Sequence, residues 1–174
     1  DLAPLIDKEA LAEFRKKALN PMKPVMRGMA ENPDHFFQHR EASNAFYTNV
    51  PAVVQHYMDE IAKITGRAYH LFDYYGDPEA ERVIVAMGSI CDVAEEVIDY
   101  LTAKKQKVGL IKVRLYRPWV SKAFLKVLPK TVKKIAVLDR TKEPGSIGEP
   151  LFMDVVAALE NKDIRVVGGR YGLS

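Results

Sequence analysis

The chain has 174 residues, 48% apolar and 28% charged, enough to bury one ordinary core or one core plus an arm, but hardly two full domains. Its net charge of +3 is too small, and its Lys and Arg too evenly mixed with Glu and Asp, to mark a nucleic-acid surface, and no apolar run approaches the roughly 20 residues that span a bilayer. Cys91 is the single cysteine, so no disulfide, cysteine-ligated zinc or iron–sulfur cluster can be assembled within the chain, which suits a reducing, cytoplasmic setting.

The chain opens on Asp1 rather than Met and stops at Gly172-Leu173-Ser174 just after a strand-like run, and we read it as a piece of something longer. Leu11, Phe14 and Ala18 predict a helix over 7–18 with Asp7 as its cap, ended by Asn20-Pro21. Residues 22–39 carry two prolines and Arg27-Gly28, and the expectation is an extended arm that turns helical only near Phe36 or Phe37. From Pro51, placed in a first turn, a long amphipathic helix with Val53, Val54, Tyr57, Met58, Ile61 and Ala62 on one face runs to Thr65-Gly66.

The aromatic run 69–75 (YHLFDYY) reads as an edge strand ending in Gly76-Asp77-Pro78. A pattern of strand, turn and helix then repeats. Strand 82–87 leads through Gly88-Ser89 to helix 92–103, with Val93, Val97 and Leu101 in line; strand 108–115 leads through Tyr116-Arg117-Pro118 to helix 121–128. Strand 135–138 leads through a charged, glycine-containing loop to a helix from Glu149 or Pro150 to Leu159, and 165–167 is a last strand closed by Gly168-Gly169. This order predicts a three-layer αβα sandwich on a five-stranded, mostly parallel sheet. About six residues join the aromatic strand to the next, too few for a parallel crossover, so that strand is expected to run antiparallel.

Ligands and partners of such sheets sit beyond the carboxyl ends of the strands, which is where the charges gather. Gly88-Ser89 offers backbone N–H groups to a phosphate or carboxylate at a helix start, or is a tight turn in which Ser89 or Asp92 caps the helix; it matches neither glycine-rich phosphate motif. Lys112, Arg114 and Arg117 surround the end of one strand, and Asp139, Arg140, Lys142, Glu143 and Glu149 the end of another. Either they form an internal ion-pair network, with Asp139, Glu143 or Glu149 as partners of Lys112 and Arg114, or they receive an anion. Cys91 is expected to be an inert, half-buried thiol, and His35, His39, His56 and His70 lack metal-ligand spacing.

Several stretches carry a resemblance: from Met26-Arg27-Gly28 to Arg40-Glu41-Ala42, VQHYMDEIAKITGR at 54–67, LFDYYGDPEAERVIVAM at 71–87, VGLIKVRLYRP at 108–118, and 135–150 with its AVLDRTKEPG. In this order they resemble the pyruvate:ferredoxin (flavodoxin) oxidoreductases. The resemblance implies that residues 1–66 are a helical arm from the end of a pyrimidine-binding domain, and that 67–174 form an α/β domain similar to the C-terminal domain of transketolases. The family converts pyruvate and coenzyme A to acetyl-coenzyme A and carbon dioxide and passes electrons to ferredoxin or flavodoxin. Its thiamine diphosphate, magnesium and iron–sulfur clusters are implied for the full-length enzyme, and no catalytic, cofactor-binding or metal-binding residue carries over to this chain. What remains is a non-catalytic organising domain in a cytoplasmic, dimeric enzyme. In that reading Arg114, Arg117, Arg140, Lys142, Glu143 and Ser89 contact neighbouring domains. The alternative is that they bind an anion or nucleotide such as coenzyme A.

Overall fold

The computed structural model describes residues 3–26, 28, 30–160 and 162–172; Arg27 and the closing Leu173-Ser174, part of the reading above, lie outside the described residues. Two compact units divide the chain, Asp1–Ala68 and Tyr69–Ser174.

The first unit is helical. After a 3-10 turn at Ala3–Leu5, α1 spans Lys8–Lys16, and the Asp7 carboxylate accepts from the Glu9 and Ala10 amides at 3.0 and 2.9 Å, the expected cap. Helix α2, Pro33–Ala42, starts earlier than the extended arm allowed. Asn32-Pro33-Asp34 is a helix start rather than a break, because Pro33 at the first position has no amide to lose and Asp34 suits the dipole. Likewise α3 is Asn44–Thr65, so Pro51 lies inside it and not in its first turn. The other turns of this 22-residue helix absorb the loss of one N–H donor. Gly66 ends it at φ 71°, its amide donating to the Ala62 carbonyl at 2.8 Å. None of the residues in α1, α2 or α3 is buried.

The second unit holds the core. Strands β1 (Phe72–Gly76), β2 (Arg82–Ala86), β3 (Val108–Val113), β4 (Lys134–Asp139) and β5 (Arg165–Arg170) form a sheet in the order β1-β3-β2-β4-β5. All neighbours are parallel except β1 and β3, as the short connection required. The partner of β1 is β3, however, and not its sequence neighbour β2. Helices α4 (Ile90–Ala103), α5 (Ser121–Val127) and α6 (Pro150–Ala158) complete the layers.

Alternation along each strand makes two cores. Val83, Val85, Ile111, Ile135 and Val137 face Phe124 of α5 and Leu151 and Val155 of α6. Ala86, Val108 and Leu110 face Cys91, Ala94 and Ile98 of α4. This corrects the predicted stripe of α4: Val93 and Val97 point outward, 60% and 45% exposed, because the helix begins at Ile90 and turns 91, 94 and 98 to the sheet. It also corrects the end of β5, which runs through Gly168 and Gly169 to Arg170. A Cβ at Gly168 would come within 3.2 Å of the Phe152 ring, so the glycine marks close packing against α6 rather than a turn.

Candidate functional site

The carboxyl end of β4 is built around two buried acids. Asp139 is 2% exposed, and its two carboxylate oxygens accept from the Leu151 and Phe152 amides at 2.9 and 3.1 Å. It thereby satisfies N–H groups in the first turn of α6 that no carbonyl reaches. Burial pushes its carboxyl above the ordinary 3.8, while the two amides pull it down. Glu149 precedes α6, is 4% exposed, and makes no capping bond with its side chain. It turns instead to β5: Oε1 pairs with Arg170 Nε, Oε2 accepts from the Glu143 amide at 2.9 Å, and Lys142 Nζ lies 3.8 Å away. The Arg170 guanidinium, with that amide and Lys142, holds the Glu149 carboxyl below its ordinary 4.5.

These contacts tie down the loop from Arg140 to Gly148. Arg140 Nε donates to the Gly172 carbonyl at 3.3 Å and Lys142 Nζ to the Glu143 carbonyl at 2.9 Å. Tyr171 Oη donates to the Met87 carbonyl at 3.2 Å, linking the ends of β5 and β2. The Glu143 carboxylate is exposed and meets no cation among the described residues, and the guanidinium of Arg140 faces outward with no carboxylate partner among them.

The other predicted cations find different partners from those expected. Lys112 pairs with Glu95 of α4 and Arg114 with Asp73 of β1, and Arg117 Nη1 lies 2.7 Å from Asp154 Oδ2 of α6. Strand β2 separates β3 from β4, so Asp139, Glu143 and Glu149 are not beside Lys112 and Arg114. The antiparallel β1 instead brings Asp73 opposite Lys112 and next to Arg114, and α4 lies over the same strand. Arg114 also stacks over the Tyr69 ring at 4.5 Å and Arg117 over Tyr116 at 3.9 Å.

Gly88-Ser89 forms the expected turn, the Cys91 amide donating to the Gly88 carbonyl at 3.1 Å, but Ser89 is exposed and makes no capping bond, and Asp92 sits in the first turn of α4. Burial pushes the Cys91 thiol up, so it is no thiolate nucleophile at neutral pH. His39 Nδ1 lies 2.6 Å from Glu31 and His70 Nδ1 2.9 Å from Asp73, ordinary surface pairs. Among the described residues no group of three or more His, Cys, Asp or Glu is placed to hold a metal ion. Sequence reasoning missed Arg170 and Tyr171, which follow a Gly-Gly pair that looks like a strand end; the register Asp139↔Arg170 reveals them. Both buried acids are committed to helix and loop, so this arrangement fixes backbone.

Two family models match. Residues 80–173 match the pyruvate:ferredoxin oxidoreductase core domain II, and residues 1–59 match the thiamine diphosphate-binding family of pyruvate flavodoxin/ferredoxin oxidoreductases. The chain is 60% identical to the pyruvate:ferredoxin oxidoreductase of Moorella thermoacetica and 57% identical to a pyruvate-flavodoxin oxidoreductase of Enterobacter agglomerans, in each case over 99% of its own length and 15% of the relative's. It is also 54% identical to a pyruvate dehydrogenase [NADP(+)] of Cryptosporidium parvum, over 95% of the chain and 9% of that protein. A solved 2-oxoglutarate:ferredoxin oxidoreductase from Magnetococcus marinus aligns with 88% of the chain and 25% of its own at 18% identity and a TM-score of 0.44. The chain thus spans about 15% of the length of the first two relatives.

Proposed function

The chain belongs to the pyruvate:ferredoxin oxidoreductase core domain II family, and from that premise we propose that it is a non-catalytic organising domain of such an enzyme. The observation that carries this reading is the 60% identity over 99% of the chain against 15% of a relative called a pyruvate:ferredoxin oxidoreductase. The whole enzyme would convert pyruvate and coenzyme A to acetyl-coenzyme A and carbon dioxide, reducing ferredoxin or flavodoxin, as a cytoplasmic homodimer. Residues 1–66 are then the end of the pyrimidine-binding domain and 67–174 the transketolase C-terminal-like domain; the match of 1–59 to a thiamine diphosphate-binding family supports this division.

Two of the family's groups, the iron–sulfur clusters and magnesium, find no ligand set among the described residues. One buried cysteine cannot hold an iron–sulfur cluster, and the described acids and histidines make no metal-ligand set. In this reading thiamine diphosphate, magnesium and the clusters belong to the rest of the polypeptide.

Within the proposed role Arg114 and Arg117 brace the sheet through Asp73 and Asp154, while Arg140, Lys142, Glu143 and Ser89 remain exposed for contact with neighbouring domains. The exposed pair Arg140 and Lys142 also favours the second reading, an anion contact for coenzyme A. Two measurements on the 174-residue chain separate these: pyruvate turnover and titration calorimetry with coenzyme A. The organising role expects neither turnover nor heat. Turnover would overturn it, and heat lost in Arg140→Ala/Lys142→Ala would establish the coenzyme A contact instead.

A further inference from the structure

The even mixing of charge along the chain has one exception. Between Asp99 and Asp139 there is no Asp or Glu, while eleven Lys and Arg occur. Acids from outside the stretch compensate part of this charge: Lys107 meets Glu79, Lys112 Glu95, Arg114 Asp73, Arg117 Asp154 and Lys133 Glu81. Helix α5 receives no such partner. Lys122 and Lys126 on it, and Lys130 in the turn just beyond it, are exposed and pair with no acid among the described residues. Lys122 and Lys126 are four residues apart, so they share one face about 6 Å apart along the axis, and that face is opposite Phe124, which is buried against the core. The turn that carries Lys130 is fixed to the body of the unit: the Thr131 hydroxyl donates to the Ala80 carbonyl at 2.9 Å, and Val132, whose amide donates to the Pro129 carbonyl at 3.3 Å, is buried.

The helix itself gains little from this pattern. It follows Val120, with no side-chain cap and no acid in its first turn. Lys122 puts a cation in that turn, at the positive end of the dipole, and lies four residues from a like charge. Lys126, in the last turn, suits the dipole but not its neighbour. A helix of seven residues depends on packing rather than on its own propensity, so an adverse charge in its first turn works against it. Natural sequences break such local rules at functional positions, where a gain elsewhere offsets the loss.

We infer that the outer face of α5 docks an acidic protein surface, whose carboxylates meet Lys122, Lys126 and Lys130. Charge complementarity is what selects this partner. The three are lysines, point charges without the bidentate fork of arginine, and no aromatic ring is exposed from 121 to 130 on which a base could stack, which favours carboxylates over nucleic acid. Nor is any large apolar side chain exposed from 121 to 130 for a lipid surface to take up. This surface is distinct from the loop between Arg140 and Gly148 used in the organising role, and its test is independent of turnover and of coenzyme A.

The probes are two fluorescein-labelled helical peptides of about 15 residues, one with glutamate at every fourth position and the other with glutamine there. Fluorescence anisotropy with the 174-residue chain at low salt is expected to favour the glutamate peptide by about tenfold, a preference that shrinks as salt is added. Lys122→Glu/Lys126→Glu should remove it, whereas Lys8→Glu/Lys17→Glu, the same change in net charge at exposed positions of the first unit, should alter binding by less than about twofold. Lys122→Glu alone should also raise the melting temperature of the unbound chain by about 2–8 °C, since it supplies an acid to the first turn and converts the like-charge pair with Lys126 into a favourable one. Higher stability together with weaker binding is the signature of a lysine kept for a partner. Equal binding of the two peptides, no binding of either, an equal loss in the Lys8/Lys17 variant, or a lower melting temperature in Lys122→Glu would overturn the assignment. So would tighter binding of a 15-nucleotide single strand than of the glutamate peptide, or a dimer in sedimentation that Lys122→Glu/Lys126→Glu dissolves, because the occupant would then be a nucleic acid or a second copy.

Discussion

Removing the Asp139 carboxylate tests whether the strand end is a joint. Asp139→Ala leaves the Leu151 and Phe152 amides, bonded now at 2.9 and 3.1 Å, without acceptors at a buried helix start. Hydrogen bonds to a charged group contribute about 1.5–3 kcal/mol each, and the carboxylate's own desolvation offsets part of that, so the expected loss is about 2–4 kcal/mol. For a unit of this size about 2 kcal/mol lowers the melting temperature by roughly 8–16 °C. Asp139→Asn keeps one acceptor and should lose about half as much. The readout is the fluorescence of Trp119, the single tryptophan, whose ring lies 5.1 Å from Phe72 and 5.3 Å from Phe124 in the same unit. The pH dependence has a definite sign. Because the native carboxyl is raised above 3.8, folding takes up a proton on acidification. The associated stability is fully present below 3.8 and is lost as pH rises through the native value. The deficit of Asp139→Asn relative to wild type should therefore widen as pH falls through the native value towards 3.8 and stay constant below that. A deficit that narrows on acidification, or an alanine variant that melts with wild type, would refute the reasoning.

Three further changes probe the same unit. Gly109→Ala drives a Cβ into the Tyr74 hydroxyl and the ring edge that bears it and should cost about 1–3 kcal/mol by overpacking, read as a lower urea midpoint; an unchanged midpoint would contradict the close approach. Glu149→Gln should speed hydrogen exchange at the Glu143 amide, which donates to the Glu149 carboxylate. In the wild type the native Glu149 carboxyl is lowered, so protection holds above 4.5 and is lost as pH falls through that lower native value; protection equal in both proteins at neutral pH would disprove the tie. Native Cys91, buried and with its thiol pushed up, should react with an aromatic disulfide far more slowly than the unfolded chain, and equal rates would show it to be accessible.

The α/β order, the antiparallel strand and most helix positions were legible because each rests on local signals: apolar runs, alternation, Asp7 as a cap, Gly66 as a stop. Pro33 and Pro51 misled for opposite reasons. One begins a helix where it looked like a break, and the other lies inside a helix it seemed to begin. Pairings between strand ends were not legible, since they depend on strand order. Nothing local places β2 between β3 and β4, and that single fact moves Lys112 and Arg114 away from Asp139 and Glu149 and gives them Glu95 and Asp73. Arg170 escaped notice because Gly168-Gly169 reads as a turn, whereas the glycines make room for Phe152 and Leu138.

The strand-end charges thus divide by what they hold. Asp139 fixes the start of α6, and Glu149 clamps Arg170 from β5 and the Glu143 amide from the loop, so the segment between them is pinned at both ends by buried carboxylates. A lid needs a segment that opens at little cost, and one tied through two acids that are 2% and 4% exposed is poorly suited to that. Pinning instead presents Arg140, Lys142 and Glu143 at fixed positions on the outer side of the loop, which lowers the entropy lost when they meet a rigid neighbour. Such fixed positions suit the docking to another domain proposed for these residues.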